Sequence, residues 1–415
     1  AACTNTDGSF TCQCDEGFVL EQGVCQVVPS CPFNSISTDE GCVQCGTDTY
    51  ASTTECVACT NPPTSSVTYG PESFARPNVL NNGGVASHFM GLKNENYQAA
   101  VDANGQYGCP VNAGTGEGAN FCHPKSLVFD PRDSSRFVLA TASQQFSGVI
   151  DSNGVPTTTL LARQVGGHVS GAIFDNEGNL IVTNSAHGTI EKLAPYPSAC
   201  GFTVIAGQNV PGGVHARDPV DGVGTDAIFK APKDIAIDRQ TGDIYIAEHY
   251  GGLSGGSCLR KMAPDGMVTT VAGQCGGNSQ LVDGTGTEAS FYTIDSLSIA
   301  ADGTIYLTDS SVVRVVTRAG EVTTLSGISV PGGWMTIVAD NLGNLIVASR
   351  IDDTNGDGKI YRYANGELSL LSDSPLNHSP QRLAIGPDGS VYVMDNQRTY
   401  PGVGFVQLSH VTRIQ

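Results

Sequence analysis

The chain has 415 residues, and its 40 acidic against 21 basic side chains give a formal charge of −19. That balance argues against nucleic acid as a partner and against anionic lipid, and no apolar stretch approaches the ~20 residues of a membrane span. Fifty-one glycines, a single Trp and few aromatics, in a chain rich in Val, Ile and Thr, point to short strands joined by tight turns, an all-β chain.

The N-terminal segment is dominated by cysteine. Nine of the 14 cysteines fall within the first 59 residues, a density that belongs to oxidising compartments. The expected location is therefore secreted or extracellular, in association with the cell surface. The chain begins without Met and without an apolar leader, so a removed signal peptide or a longer upstream region is expected.

Residues 3–25 read CTNTDGSFTCQCDEGFVLEQGVC. Cys3, Asn5, Gly8, Phe10, Cys12, Cys14, Gly17, Phe18 and Cys25 resemble the second half of an epidermal-growth-factor-like (EGF-like) module. The resemblance implies a Cys14–Cys25 bridge and leaves Cys3 and Cys12 without their usual partners, which would come from upstream sequence or from another chain. Cys31 to Cys42 and Cys45 to Cys56 each enclose ten residues, as Cys14 to Cys25 does, and this stretch resembles the cysteine-rich repeats of extracellular receptors. Two C-x-x-C steps, Cys42/Cys45 and Cys56/Cys59, also suit a four-thiolate zinc site; an oxidising compartment favours disulfides. If the three ten-residue loops close, Cys59 is left over in the head. Cys109, Cys122, Cys200, Cys258 and Cys275 downstream are also odd in number, so parity predicts a bridge from Cys59 to the body.

Residues 60–77 are rich in Pro, Ser and Thr and predict an extended connector. Thr64, Ser65 and Ser66 are candidate O-glycosylation sites or parts of a bare linker, and Asn377-His378-Ser379 is an N-glycosylation acceptor. The expected domains are 1–28, the EGF-like half-module; 29–60, a second cysteine-rich module; 61–110, linker and ring-closing strand; and 111–415, the body.

In the body one pattern repeats. FVLA at Phe137, LIVT at Leu180, IYIA at Ile244, IYLT at Ile305, LIVA at Leu345 and VYVM at Val391 are separated by 43, 64, 61, 40 and 46 residues. Each follows another strand after a turn, and four strands per unit in six units is the expected count. Such sheets bury their faces when arranged radially, which predicts a six-bladed β-propeller. The sixth unit ends three strands in, so a strand from residues 78–102 is expected to close the ring. GVGTDAIFKAPKDIAID at 222–238 has close relatives from Gly284 and from Gly114. The phrase reads as the crossing between blades, with Phe121, Phe229 or Phe291 as a hydrophobic peg. On AIFKAPKDIAIDRQTGDIYIAEHY and the following LRK and VTTVAG strands, the body resembles an NHL-repeat propeller.

DTNGDGKI at 353–360 places Asp353, Asn355 and Asp357 in alternation before a glycine, as in the first half of a calcium loop; Tyr361 and Ala364 break the second half, and a polar turn is the alternative. Calcium is the one cofactor expected. His123 and His168 stand just before the inner strands of adjacent units, near the channel, with His187 and His249 after second strands. Some NHL-like propellers are metal-dependent lyases of peptidyl hydroxyglycine that use channel histidines, but no third ligand is evident here. No triad, phosphate loop or heptad run is present, and the expectation is of a protein that is not an enzyme.

The first reading is thus an extracellular structural or adhesion protein, its propeller a rigid protein–protein platform in a surface filament or matrix. The architecture resembles flagellar-hair-like filament proteins of algae and protists, with copies of itself, other extracellular proteins or glycans as partners. The alternative is a receptor-like propeller that binds a peptide or glycan, and a lyase-like enzyme comes third.

Overall fold

The computed structural model describes most of residues 113–414 apart from the connections 162–167, 194–200, 209–217, 250–255, 329–334, 350–357 and 400–405, together with the strand Ala86–Gly91; ahead of that strand it describes only backbone strands. The chain divides into two compact units, Ala1–Pro63 with Pro197–Cys200, and Thr64–Tyr196 with Gly201–Gln415. The first contains four antiparallel hairpins: Ala2–Thr6 with Ser9–Gln13, Phe18–Glu21 with Val24–Val27, Ser35–Thr38 with Gly41–Gln44, and Thr49–Ala51 with Cys56–Ala58.

The second unit is an all-β, six-bladed propeller. From blade one to blade six the inner strands are Pro124–Phe129, Val169–Phe174, Pro232–Ile237, Ile294–Ile299, Met335–Ala339 and Ser379–Ile385. Each contacts the next, and the sixth contacts both the fifth and the first, so the ring is closed. Blade six takes its outer strand from Ala86–Gly91, which pairs antiparallel with Val406–Ile414. Met90 of that strand is fully buried with Phe89 in an apolar cluster shared with Phe137 and Leu139 of blade one. The closing strand therefore gains both a hydrogen-bond ladder and a packed face. Among the described residues no helix is long and apolar enough to cross a membrane.

The blades pack through apolar residues of their second strands, which alternation alone would leave half exposed. Leu180–Asn184 and Ile244–Glu248 are buried at every position, because each sheet is covered by a neighbour on both faces. Ile181 and Ile190 of blade two, for example, meet Ile235 and Ile246 of blade three.

The repeated phrase does more than cross between blades. Gly222–Val223 and Gly284–Thr285 pair with the outer strands Met267–Gly273 and Glu321–Thr324, so blades three and four have five strands rather than the expected four. Gly224 and Gly286, at φ of +55° and +60°, turn the chain inward after these two-residue strands. Phe229 and Phe291 then enter the core at 0% exposure. Each ring has an arginine over its face, Arg260 at 5.3 Å and Arg314 at 5.2 Å from the centroid.

Those arginines are wholly buried and doubly paired. Arg260 donates to Glu248 at 3.0 Å and to Asp221 at 2.9 Å; Arg314 donates to Asp309 at 3.0 Å and to Asp283 at 2.8 Å. Asp221 and Asp283, which precede the glycine phrase, also accept the backbone N–H and hydroxyl of Thr270 and Thr324. The same clasp is thus built twice, and it explains why the phrase is written with an aspartate ahead of it. The first copy at Gly114 lacks that aspartate and makes a single bridge, Thr115 to Thr157.

Cys258 and Cys275 form a disulfide with Cα atoms 4.9 Å apart. The ladder sets Cys258 opposite Gly273, which brings the chain two residues on within bridging reach. The other cysteines discussed above, Cys3, Cys12, Cys14, Cys25, Cys31, Cys42, Cys45, Cys56, Cys59, Cys109, Cys122 and Cys200, have side chains outside the described residues, as do Thr64, Ser65, Ser66 and Asn377.

Candidate functional site

In five of the six blades the pairing between inner and second strands slips by one residue near the start of the inner strand. The slips fall between Pro124 and Ser126, Val169 and Gly171, Pro232 and Asp234, Ile294 and Ser296, and Pro380 and Arg382. A bulge leaves its extra residue out of the ladder and re-aims the side chain. The extra residues are Lys125, Ser170, Lys233, Asp295 and Gln381, and all five line one cavity of about 320 Å³ at the mouth of the channel. Five blades thus contribute one re-aimed residue each to the same cup.

After four of the five bulges, the next residue ties its blade to another. Ser126 donates to the Ala172 carbonyl at 3.3 Å, Asp234 accepts the Leu297 N–H at 2.8 Å, and Ser296 accepts the Ile337 N–H at 3.3 Å. Arg382 reaches further: Nε donates to the Lys125 carbonyl at 3.3 Å and Nη1 to the Asp295 carbonyl at 2.7 Å. It therefore joins blade six to blades one and four, lining both the cup and a second cavity of about 260 Å³ further along the channel. That second cavity is walled mainly by apolar inner-strand residues such as Leu127, Ile173, Ile235 and Leu297.

The electrostatics of the cup run against those of the chain. Among the described residues, Lys125, Lys233 and Arg382 meet one wall carboxylate, Asp295, whose Oδ1 accepts from the Lys233 ammonium. Asp295 Oδ2 is buried and has no hydrogen-bond partner. Asp234, buried, lines the second cavity; burial pushes its carboxyl up, against the pull of Arg382 and two backbone N–H bonds.

Two histidines complete the rim. His168 Nδ1 shares a hydrogen bond with Ser185 Oγ at 3.3 Å, and Ser170 donates to the same hydroxyl at 2.8 Å. His249 Nδ1 lies 3.3 Å from Ser257 Oγ and 3.2 Å from Thr293 Oγ1. Desolvation lowers the pKa of both imidazoles, with Lys125 adding to the effect at His168 and Lys233 at His249. Both rings are thus held neutral at pH 7.

Of the four histidines singled out in the sequence, the structure brings His168 and His249 to the cup, although they come from different positions in their repeats. His123, at a left-handed φ of 50°, is exposed ahead of blade one's inner strand and is not a cup-lining residue. His187 lies in a turn, its Nδ1 bonded to the Asn184 side chain at 3.2 Å. Asp353, Asn355 and Asp357 lie outside the described residues. Among the described residues, one grouping of three metal-type ligands occurs, Glu248 with Cys258 and Cys275. Its sulfurs are joined in a disulfide and its carboxylate holds Arg260, so it is not a metal site.

Lys125, Lys233, Asp295 and Gln381, with Arg382 in the next column, were not singled out by sequence. Their signal was available: aligned on HPKS, APKD, TIDS and SPQR, the bulged residues share one column directly after Pro124, Pro232, Ile294 and Pro380.

No protein-family model matches the chain, and no curated protein does. Among solved structures, the chain is similar to a gluconolactonase from Xanthomonas campestris, at 10% identity and a TM-score of 0.48 over 82% of this chain and 99% of that one. It is similar also to a streptogramin B lyase, at 14% identity and a TM-score of 0.45 over 71% and 94%. A third is regucalcin from Agrobacterium tumefaciens, titled a calcium-binding protein, at 14% identity and a TM-score of 0.47 over 71% and 91%. The propeller is a fold that enzymes use. The expectation that the chain is not an enzyme is therefore corrected: two of these similar structures are named as enzymes. The reason the sequence misled is physical, since a propeller site is assembled from single residues on separate blades and leaves no contiguous motif.

Proposed function

We propose that the chain is a secreted propeller that binds a small ligand, or the end of a longer one, in the cup at the mouth of its channel. The observation that carries this reading is the set of five bulges that aim Lys125, Ser170, Lys233, Asp295 and Gln381 into one cavity. A bulge costs ladder hydrogen bonds, and five of them converging on one axis favour a site over a packing accident. The size suits a ligand of small-molecule dimensions. The cysteine-rich head supports secretion. On this reading the receptor-like alternative takes precedence over the filament, because a structural platform has no use for a polar cup.

A second reading, that the bound ligand is also transformed, is favoured by the two imidazoles held neutral at the rim. A neutral histidine is a competent general base at ordinary pH.

The test is a thermal-shift screen of the full chain against soluble metabolites, glycans and peptides, with each positive mixture also assayed for product. Compounds that raise the melting temperature of the wild type should lose most of that effect in Lys233→Ala and His168→Ala. Hits that shift both variants as much as the wild type would remove the cup from the account.

A further inference from the structure

The second cavity lies beyond the cup and does not depend on what the cup binds. Among the described residues, Lys125 and Arg382 are common to both cavities, and Arg382 lies across the channel between them, held by carbonyls of blades one and four. From there the chamber runs toward the opposite face. The turns that follow the inner strands bring Pro131, Ser134, Arg239 and Pro387 to its mouth, and Ser134 and Pro387 are exposed, so the chamber opens to solvent there. About 13 Å of strand separates Asp234, near the cup, from Asp238 at the mouth.

The wall combines hydrocarbon with backbone. Ile173, Ile237, Leu297 and Ile385 keep 6–9% of their surface exposed, whereas Val182, Ile246, Leu307 and Val347 on the strands behind them keep none; the residual exposure belongs to the chamber side. In every blade the inner strand is the last of its sheet, so its free edge turns N–H and C=O groups toward the channel. Side chains of neighbouring blades take some of these groups: Ser126 the Ala172 carbonyl, Asp234 the Leu297 N–H and Ser296 the Ile337 N–H. The free edges still supply donors and acceptors that an uncharged polar group can meet.

The ionisable lining residues stand at the two ends, Lys125, Asp234 and Arg382 beside the cup and Asp130 and Arg239 at the mouth. At the mouth Asp130 is paired with Arg132 at 2.7 Å, and Arg239 donates to the Asn176 side chain at 3.1 Å. A charged group drawn into the middle would lose its water and find no counter-charge. In size, about 260 Å³ exceeds the ~150 Å³ of an apolar cavity that takes up benzene.

We infer that this chamber is a second binding site, for an uncharged molecule that enters from the face opposite the cup. Its ligand has an apolar skeleton of one or two rings, or an alkyl chain of similar bulk, and carries a hydroxyl, carbonyl or amide group.

Calorimetric titration of the full chain with 2-naphthol and 1-octanol, beside the charged 2-naphthoate, octanoate and octylammonium, tests the class of ligand. Crystals soaked with the tighter binder, or pressurised with xenon, locate the site. At least one uncharged probe should bind with a negative heat-capacity change, its charged counterparts should bind at least about tenfold more weakly, and density should lie among Leu127, Ile235 and Leu297. Ser134→Trp, at an exposed turn position and checked for an unchanged unfolding midpoint, should slow the uptake of 2-naphthol, followed by its fluorescence, about tenfold; uptake as fast as in the wild type contradicts entry from this face. Failure of every uncharged probe, equal binding of the charged counterparts, or density confined to the cup or to the outside of the blades overturns the inference. Density in the cup alone would leave the cup a binding site while the chamber falls.

Discussion

Arg314 shows how much of this propeller rests on single buried charges. It has no exposure to solvent, lies over Phe291, and holds Asp309 and Asp283 at once. Burial pushes the Asp309 carboxyl up to about 6, against the Tyr292 and Thr293 N–H bonds and Arg314, so the pair is charged at neutral pH. Breaking such a pair leaves an uncompensated charge inside, at a cost of about 3–5 kcal/mol. Arg314→Met should therefore lower the unfolding free energy by that order in a denaturant titration at pH 7. A loss below about 1 kcal/mol would mean that Asp309 is not held as described. The arginine and its acids were in plain view in the sequence, but nothing in a linear pattern says that Asp283 and Arg314, 31 residues apart, belong to one clasp. The same holds for the cup. Its charges sit in a column that only the strand register reveals, and they are not the channel-histidine set that a metal-dependent lyase would lead one to seek.

At the scale of elements, the periodicity of short apolar strands was enough to number the blades, because each second strand is covered on both faces and so reads as an unbroken apolar run. Two-residue strands such as Gly222–Val223 carry no periodicity at all, which is why the fifth strands of blades three and four were missed. Their positions are fixed by glycine turns and by Asp221 and Asp283. The closing strand was legible for a different reason: an incomplete last unit has to be completed from elsewhere. Ala86–Gly91 fills that place and buries Phe89 and Met90 against blades six and one. A chain that begins after Gly91 should lose this ladder and expose a strand edge. It is expected to unfold at a markedly lower temperature, or to associate, in scanning calorimetry with light scattering. A truncated chain as stable and monomeric as the full one would show that the clasp is dispensable.

For the whole molecule, a chain of net charge −19 carries a channel cup whose described lining includes Lys125, Lys233 and Arg382, and the proposed binding function draws on that contrast. A propeller body is rigid because every blade is held by its neighbours, and rigidity is what allows residues from five blades to be placed around one point. Side-chain ties from Ser126, Asp234, Ser296 and Arg382 join the inner strands of blades one to two, three to four, four to five, and six to one and four. The bulges then spend some of that order on a polar mouth. A crystal structure of the full chain with a ligand recovered from the screen tests this most directly. Density is expected in the cup, in contact with Lys125, Lys233 or Asp295, with the propeller backbone unmoved. Ligand seated on an outer blade edge, with the cup holding only solvent, would contradict it.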